Sequence, residues 1–444
     1  MFNKNGIQAR IKTNVSLSDS MANAIKLWNE MYENKAPWNT EDVKSLGLPA
    51  IIASEIAMLA TIEARCEITG SVRADYLNER FSELYGDLRT AAEYGCKGGG
   101  LVFKPYITKD RELKCEFIHS DSFFPLDNEL KSAVFTETLT MDNTIYTRFE
   151  IHSYEGDMLR IRNEAFRGES LSPVPLSSVP EWAELESEIF IRDAKRPLFA
   201  YFKVPFANNI DPASPLGVSV YSRASDLIKD ADEQYSRLLW EFEGGALAVD
   251  VDETAFRGNL DGKPLKLPRL EKRLFRRHGY DGGGSDTFYS VFSPALRDNS
   301  YINGLNSILR KIEDSCGLSH GTFSDVQGEA KSATEIKIQK QRSYATVSDI
   351  QKSLEKALRE LIDVYDIYCT LYGLAPKGEY EVSFKWDDSI IIDASQEQAI
   401  MLQEVQANIL NKTQYLMKRY GVTEEVAKEM LPETTAMPGL FEGF

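Results

Sequence analysis

From about Ala330 to Gly373 apolar side chains recur at Val347, Ile350, Leu354, Leu358, Leu361, Tyr365, Tyr368 and Tyr372. Intervals of three and four residues gather them on one face of an α-helix. Ser332 followed by Glu335 makes a capping-box pattern at the start, and Gly373 with Pro376 closes the run. The pattern predicts one helix of about 40 residues, roughly 60 Å long at 1.5 Å per residue. Such a helix exceeds what a compact enzyme domain needs and suggests a strut in an elongated or oligomeric assembly. Because periodic runs this long are uncommon, two helices meeting at an unmarked kink are the alternative.

A chain of 444 residues, 43% hydrophobic and 11% aromatic, has material for two or three domains and a sizeable core, which excludes a wholly disordered protein. Its formal charge of −17 argues against gripping phosphates over the whole surface, since nucleic-acid affinity is largely counterion release by Lys and Arg. It leaves open a protein that lets DNA pass. Five scattered cysteines, Cys66, Cys96, Cys115, Cys316 and Cys369, show no CxxC spacing, so neither a disulfide framework nor a zinc site is expected, and a reducing compartment is. The start, Met1-Phe-Asn-Lys-Asn, has no apolar h-region, and the apolar run from Pro49 to Ala64 is broken by Glu55. The expectation is a cytosolic, unprocessed product that meets no membrane.

Helical periodicity marks 16 to 34, 49 to 66 and 74 to 95, the second rich in Ala50, Ala53, Ala57 and Ala60 for close packing. β-type runs follow at Leu101 to Ile107, Leu113 to His119, Ala133 to Leu139, Ile145 to Tyr154, Met158 to Phe166 and Leu198 to Val204, with a hairpin turn at Glu155-Gly156-Asp157. Ser170 to Pro180 reads as loop and Asn208 to Gly217 as linker.

A second amphipathic helix is predicted from Val220 to Glu243. Ala224, Leu227, Ile228, Ala231, Tyr235, Leu238, Leu239 and Phe242 share one side, and Gly244-Gly245 stops it. The other side is acidic: Asp226, Asp230, Asp232, Glu233, Glu241 and Glu243 against Arg223, Lys229 and Arg237, a local charge of −3. A solvated face is the plain reading; closure into a ring would make it a negatively lined lumen. Between 257 and 277 the balance reverses. Arg257, Lys263, Lys266, Arg269, Lys272, Arg273, Arg276 and Arg277 stand against only Asp261 and Glu271, a charge of +6. This run reads as a partner-docking surface, a DNA contact or a solvated face; Phe275 and Tyr280 are the only aromatics near it, and no nucleic-acid reader motif is present. Gly282-Gly283-Gly284, a strand from Thr287 to Phe292, a third helix from about Tyr301 to Cys316 and a loop from Gly317 to Lys331 lead into the long helix.

Enzyme readings find little support, and no catalytic residue is assigned. Gly95-Cys-Lys-Gly-Gly-Gly lacks the Gly-Lys-Ser/Thr of a P-loop and reads as a turn after a helix ending near Tyr94. His119, His152, His278 and His320 have no metal-ligand spacing and read as structural. Asp250/Asp252 and Asp387/Asp388 are the type of pair that can bind Mg²⁺, although carboxylates on strands and in turns usually face water. Neither a metal nor a cofactor is expected.

Taken in order, several segments resemble the portal proteins of tailed bacteriophages, in particular the portal family of siphoviruses infecting Gram-positive bacteria. Asn208-Asn-Ile-Asp-Pro and Pro215-Leu-Gly-Val-Ser-Val-Tyr are similar to that family's approach to its first stem helix. Gly317-Leu-Ser-His-Gly-Thr-Phe with Lys331-Ser-Ala-Thr-Glu-Ile is similar to its exit from the second stem helix through a tunnel loop. Tyr94-Gly-Cys-Lys-Gly-Gly-Gly-Leu-Val-Phe-Lys-Pro-Tyr, His119-Ser-Asp-Ser-Phe-Phe-Pro and Arg148-Phe-Glu-Ile-His-Ser-Tyr are similar to its wing. The likeness spans about residues 20 to 431.

The resemblance implies an α+β, elongated portal fold with wing, helical stem, small α/β clip and short helical crown, assembled as a ring. Carried over by position, the wing is 1–219 with the long helix and strand of 332–393. The stem helices are 220–243 and 296–316, the clip 244–295, the tunnel loop 317–331, and the crown with its tail 394–444, with helices from Ser395 to Leu410, near Asn411 and after Thr423. It implies a dodecameric homo-oligomer at one capsid vertex, in the virion and earlier in the host cytoplasm. Its partners are double-stranded DNA in transit, the terminase large subunit, a head-completion adaptor, and the major capsid and scaffolding proteins. Ser319, His320, Thr322, Ser324, Asp325, Gln327, Glu329 and Lys331 are then tunnel-loop residues, nearly neutral overall and free to move at Gly321 and Gly328; a plain helix connector is the alternative. The eight basic residues from Arg257 to Arg277 become the docking surface of the clip. Another phage head component, or an oligomeric scaffold without a DNA channel, is the competing function.

Overall fold

The computed structural model describes residues 4–62, 64–192, 194, 196–245, 248–252, 275–278, 289–292, 295–325, 333–386, 401–407, 409–420 and 423–431, of which 248–252, 275–278, 289–292 and 333–340 are described by their backbone. Two compact units result, 1–62 with 66–384, and 63–65 with 385–444.

The first unit opens on helices α1 (Lys4–Ile11), α2 (Asp19–Tyr32) and α3 (Leu48–Thr61). Ser18 caps α2 by accepting from the Met21 N–H at 3.3 Å. Ala53, Ala57 and Ala60 are buried, and their small side chains let α3 pack closely on α5 (Leu88–Gly98). No periodic pattern in the sequence marks α1. The helix expected to 66 stops at Thr61, because β1 (Ala64–Thr69) pairs with β14 (Glu381–Trp386) far along the chain. The expected 74–95 helix is two, α4 (Val72–Tyr85) and α5, parted at Gly86 and Asp87. Rather than ending near Tyr94, α5 runs on through Gly98. There Gly99, at φ +82°, lets the chain turn against Gly217, whose carbonyl oxygen lies 2.6 Å from where a Cβ would sit. The glycine cluster is thus a close backbone crossing.

Strands β2 (Gly100–Ile107), β3 (Leu113–His119) and β10 (Ala200–Lys203) form one antiparallel sheet in the order β10-β2-β3. A second, in the order β4-β5-β6-β7-β8 with β9 also on β7, comprises β4 (Phe123–Pro125), β5 (Ala133–Met141), β6 (Thr144–Glu155), β7 (Met158–Arg167), β8 (Ser172–Val174) and β9 (Glu188–Ile191). Asp142 and Asn143, both at positive φ, make the β5–β6 hairpin turn, and Gly156 the next one. The stretch read as loop from Ser170 contains β8, which closes on β7.

Charge is buried inside this second sheet. Glu150 accepts from Lys104 Nζ at 2.8 Å and Arg148 Nη1 at 3.2 Å, and its other oxygen lies 2.8 Å from His152 Nε2. Burial alone would raise the Glu150 carboxyl, but Lys104, His152 and Arg148 outweigh it and hold it well below the usual carboxylate range. A carboxyl depressed in the folded state contributes stability that is fully present above its unfolded value near 4.5 and is lost as pH falls through the folded value. Glu150→Gln is therefore expected to cost about 2 kcal/mol at pH 7 and to flatten the fall in stability below pH 4.5, as read by urea unfolding across pH.

Helices α6 (Ser225–Gly244) and α7 (Asp298–Cys316) pack on each other. In chain order the segment joining them forms a three-stranded sheet of order β12-β11-β13, from β11 (Ala248–Asp252), β12 (Phe275–His278) and β13 (Tyr289–Phe292). The long helix is unbroken: α8 (Ala333–Tyr372) has 40 residues, so the kinked alternative falls. Val347, Ile350, Leu354, Leu358, Leu361 and Tyr365 are each at most 1% exposed, against α3, α4, β2 and β10, whereas Tyr372 at the end is 45% exposed. Gly373 at φ +61° and the Leu374 N–H on the Cys369 carbonyl terminate it. The capping-box residue Ser332 lies outside the described residues. From α4, the fully buried Arg73 ties down this end, donating to Asp366 Oδ1 at 2.7 Å and to the Ala375 and Pro376 carbonyls.

In the second unit, residues 401–406 are helical, followed by α9 (Lys412–Tyr420) and α10 (Glu424–Glu429) with Thr423 at the N-cap position. Among the described residues no helix is long and apolar enough to cross a membrane.

Candidate functional site

The linker Asn208 to Gly217 is held by its own side chains. Asn208 Oδ1 accepts from the Ile210 and Asp211 N–H groups, its Nδ2 donates to the Leu216 carbonyl, and Ser222 Oγ donates to Asn209. It delivers the chain into α6 through Tyr221, whose hydroxyl donates to the Trp28 carbonyl at 2.9 Å.

On α6 the expected division into apolar and acidic sides holds only in part. Ile228, Ala231 and Leu238 are buried, but Leu239 is 37% and Phe242 44% exposed, beside Trp240 at 67%. Two of the six acids are internal. Asp232 accepts from Trp38 Nε1 at 2.9 Å and from the Leu46 N–H at 2.8 Å, and burial raises its carboxyl despite those bonds. Glu241 accepts from Arg297 through the backbone N–H at 3.0 Å and Nη2 at 2.7 Å, a clamp across the start and finish of the 246–294 excursion. Asp226, Asp230 and Glu243 remain exposed.

The loop after α7 is built around one carboxylate. Glu313, fully buried, accepts from the Phe323 N–H at 2.7 Å, the Ser324 N–H at 2.9 Å, Ser324 Oγ at 2.8 Å and the Gly321 N–H at 3.3 Å. Asn306, one turn pair back on α7, donates to the Asp325 carbonyl and accepts from its N–H. The far side is held by α8: Ser319 N–H donates to Ser343 Oγ at 2.7 Å, Thr346 Oγ1 donates to the Gly317 carbonyl at 2.8 Å, and Arg342 pairs with Asp314. Gly317 at φ +72° makes the turn that brings the chain between the two helices.

This placement revises the expectation of mobility at Gly321. Ser319 and Ser324 are buried, and their hydroxyls bond to Ser343 and Glu313. Thr322 Oγ1 donates back to the Ser319 carbonyl, and His320 lies 3.0 Å from Asp314; of the described loop residues, His320, Gly321 and Asp325 are exposed. Gln327, Gly328, Glu329 and Lys331 lie outside the described residues. Sequence reasoning missed Glu313. The available signal was two acids, Glu313 and Asp314, in the last turn of a helix, where the macrodipole disfavours negative charge.

Of the basic run, Arg257, Lys263, Lys266, Arg269, Lys272 and Arg273 lie outside the described residues, as do Asp387 and Asp388. Arg276 and Arg277 stand on β12, where the parallel register sets Arg276 opposite Asp250 and His278 opposite Asp252. His119 packs against Tyr94 with ring centroids 4.6 Å apart and planes tilted by 54°, and burial lowers the pKa of its imidazole. Among the described residues no group of three or more His, Cys, Asp or Glu side chains could hold a metal ion. The five cysteines are free thiols.

Helix, small sheet, helix, anchored loop and long helix all fall within residues 82–435, and that segment matches the family described as phage portal protein, SPP1 Gp6-like. The chain belongs to this family. Its role is accordingly that of a portal, the connector component of a phage or phage-like particle, and its mixed α and β architecture is a portal fold. Two solved structures align along most of the portal chain. One is the neck of an empty GTA particle computed with C6 symmetry, at 13% identity over 89% of this chain and 93% of that one, with a TM-score of 0.45. The other is the neck of a native GTA particle computed with C12 symmetry, at 12% identity over 92% and 94%, also with a TM-score of 0.45. No curated protein matches the sequence.

Proposed function

We propose that the chain forms a dodecameric ring at one capsid vertex through which double-stranded DNA is packaged and later ejected, without sequence preference. One observation carries the reading: in a portal-family chain, the pair α6/α7 leads through a loop pinned by Glu313 into an unbroken helix of 40 residues. In this assignment residues 1–219 with 332–393 are the wing, 220–243 and 296–316 the stem, 244–295 the clip, 317–331 the tunnel loop and 394–444 the crown. Exposed Asp226, Asp230 and Glu243 suit a channel that does not hold phosphates, because each neutralised phosphate adds binding free energy that must be undone at every step. The basic run of the clip would meet the terminase large subunit during filling and a head-completion adaptor afterwards, charge chiefly setting on-rate and partner choice. Capsid and scaffolding proteins would adjoin the wing, in the virion and during assembly in the host cytoplasm.

Negative-stain images of purified protein should show rings with a central hole; particles without a hole would overturn the reading. Within it, Gln327→Lys with Glu329→Lys should leave rings intact but lower DNA packaged per particle, since added cations in a narrow ring bind phosphates. Normal packaging by the double variant would remove the tunnel role from this loop.

A further inference from the structure

The strands around Lys104 and Arg148, the turn at Trp182 and the last turns of α8 line a cavity of about 500 Å³, whose floor includes the buried Glu150 cluster described above. Its rim is apolar and open. Tyr106, Leu185, Leu371 and Tyr372 line it and are each between 38% and 47% exposed. Tyr368 and Tyr372 stack there with centroids 5.9 Å apart and planes at 7°. Large apolar groups gathered at one rim, unlike scattered ones, mark an interaction site.

The floor decides what fits. Its cations are already spent: Lys104 Nζ lies 2.8 Å from Glu150, 3.2 Å from Glu116 and 5.3 Å from the centre of the Phe135 ring. Arg148 donates to Glu137, Glu150 and Asn163. Carboxylates outnumber those cations, because Glu116, Glu137, Glu150 and Glu181 line the cavity against Lys104 and Arg148. Glu116 is 45% exposed and pairs with Lys104. Glu181 is exposed and makes no salt bridge among the described residues. An anion would find surplus negative charge and no unpaired cation among the described lining residues; a cation would find open acceptors beside aromatic faces, which add cation–π attraction.

We propose that this cavity docks a segment of a partner protein in which an aromatic or aliphatic side chain neighbours Lys or Arg. The apolar group fills the mouth and the cation reaches Glu116 and Glu181. Neither the ring nor the DNA channel is needed for this inference.

The test is calorimetric titration of the purified full chain, as monomer or ring, with Ac-Phe-Arg-Leu-Lys-NH2 and with its acidic counterpart Ac-Phe-Glu-Leu-Glu-NH2. The cationic peptide should bind at least about ten-fold more tightly, a difference that shrinks as salt screens the exposed carboxylates. Glu116→Gln with Glu181→Gln should weaken it about five-fold, and Tyr372→Ala should weaken both peptides; all three positions are exposed, and unchanged thermal unfolding confirms that the variants fold. Equal binding of the two peptides, binding that neither variant alters, or no binding of either peptide would overturn the proposal. So would hydrogen-exchange protection of the rim that appears only on assembly, since a second copy would then be the occupant.

Discussion

Leu358→Pro is expected to prevent the chain from folding to a stable subunit, and with it any assembly. Leu358 is fully buried in the middle of α8, where the stripe from Val347 to Tyr365 packs on α3, α4, β2 and β10. Proline removes the helix hydrogen bond of residue 358 and drives its ring into the preceding turn, costing about 3 kcal/mol or more. It also displaces a side chain whose burial contributes about 2 kcal/mol. Leu358→Met keeps the volume and the backbone, so its cost should stay below about 1.5 kcal/mol. Urea unfolding with light scattering separates the two; a proline variant as stable as the methionine one would show that this turn of α8 is not central to the core.

The second large effect belongs to Glu313. Glu313→Ala leaves the N–H groups of Gly321, Phe323 and Ser324 and the Ser324 hydroxyl without their acceptor. Hydrogen bonds to a charged group are worth more than neutral ones, so the loss is expected to reach about 3 kcal/mol. Glu313→Gln keeps one accepting oxygen but turns an N–H₂ toward donors, so it should recover only part. Hydrogen exchange localises the effect: amides 321, 323 and 324 should lose protection in the alanine variant while those of α3 and α5 keep theirs. Retained protection at all three would mean that Asn306, Ser343 and Thr346 hold the loop unaided. In a working portal the same variant would separate loop anchoring from charge, because it leaves the exposed surface of residues 320 to 325 chemically unchanged.

Periodicity was enough to read α8, since a stripe of Val, Ile, Leu and Tyr at three- and four-residue intervals with Gly373 at its end describes a helix whatever surrounds it. The same holds for β3, β6 and β7, whose alternation and turn at Gly156 are local properties, and for the buried apolar run of β2. The order of helix, basic segment, helix, loop and long helix was likewise legible, and it pointed to the portal family that the match over 82–435 establishes.

Only the tertiary structure decided which polar groups face inward. Asp232, Glu241 and Glu313 look in the sequence like solvated acids of two charged helices. Each becomes internal because a segment remote in the chain brings donors to it: Trp38 and Leu46, Arg297, and the 321–324 backbone. β1 and Arg73 follow the same rule, since their partners β14 and Asp366 lie about 300 residues away. Local pattern reports the conformation that a segment's own side chains favour; burial of a charge depends on partners that distant chain supplies, and no window of neighbouring residues contains them.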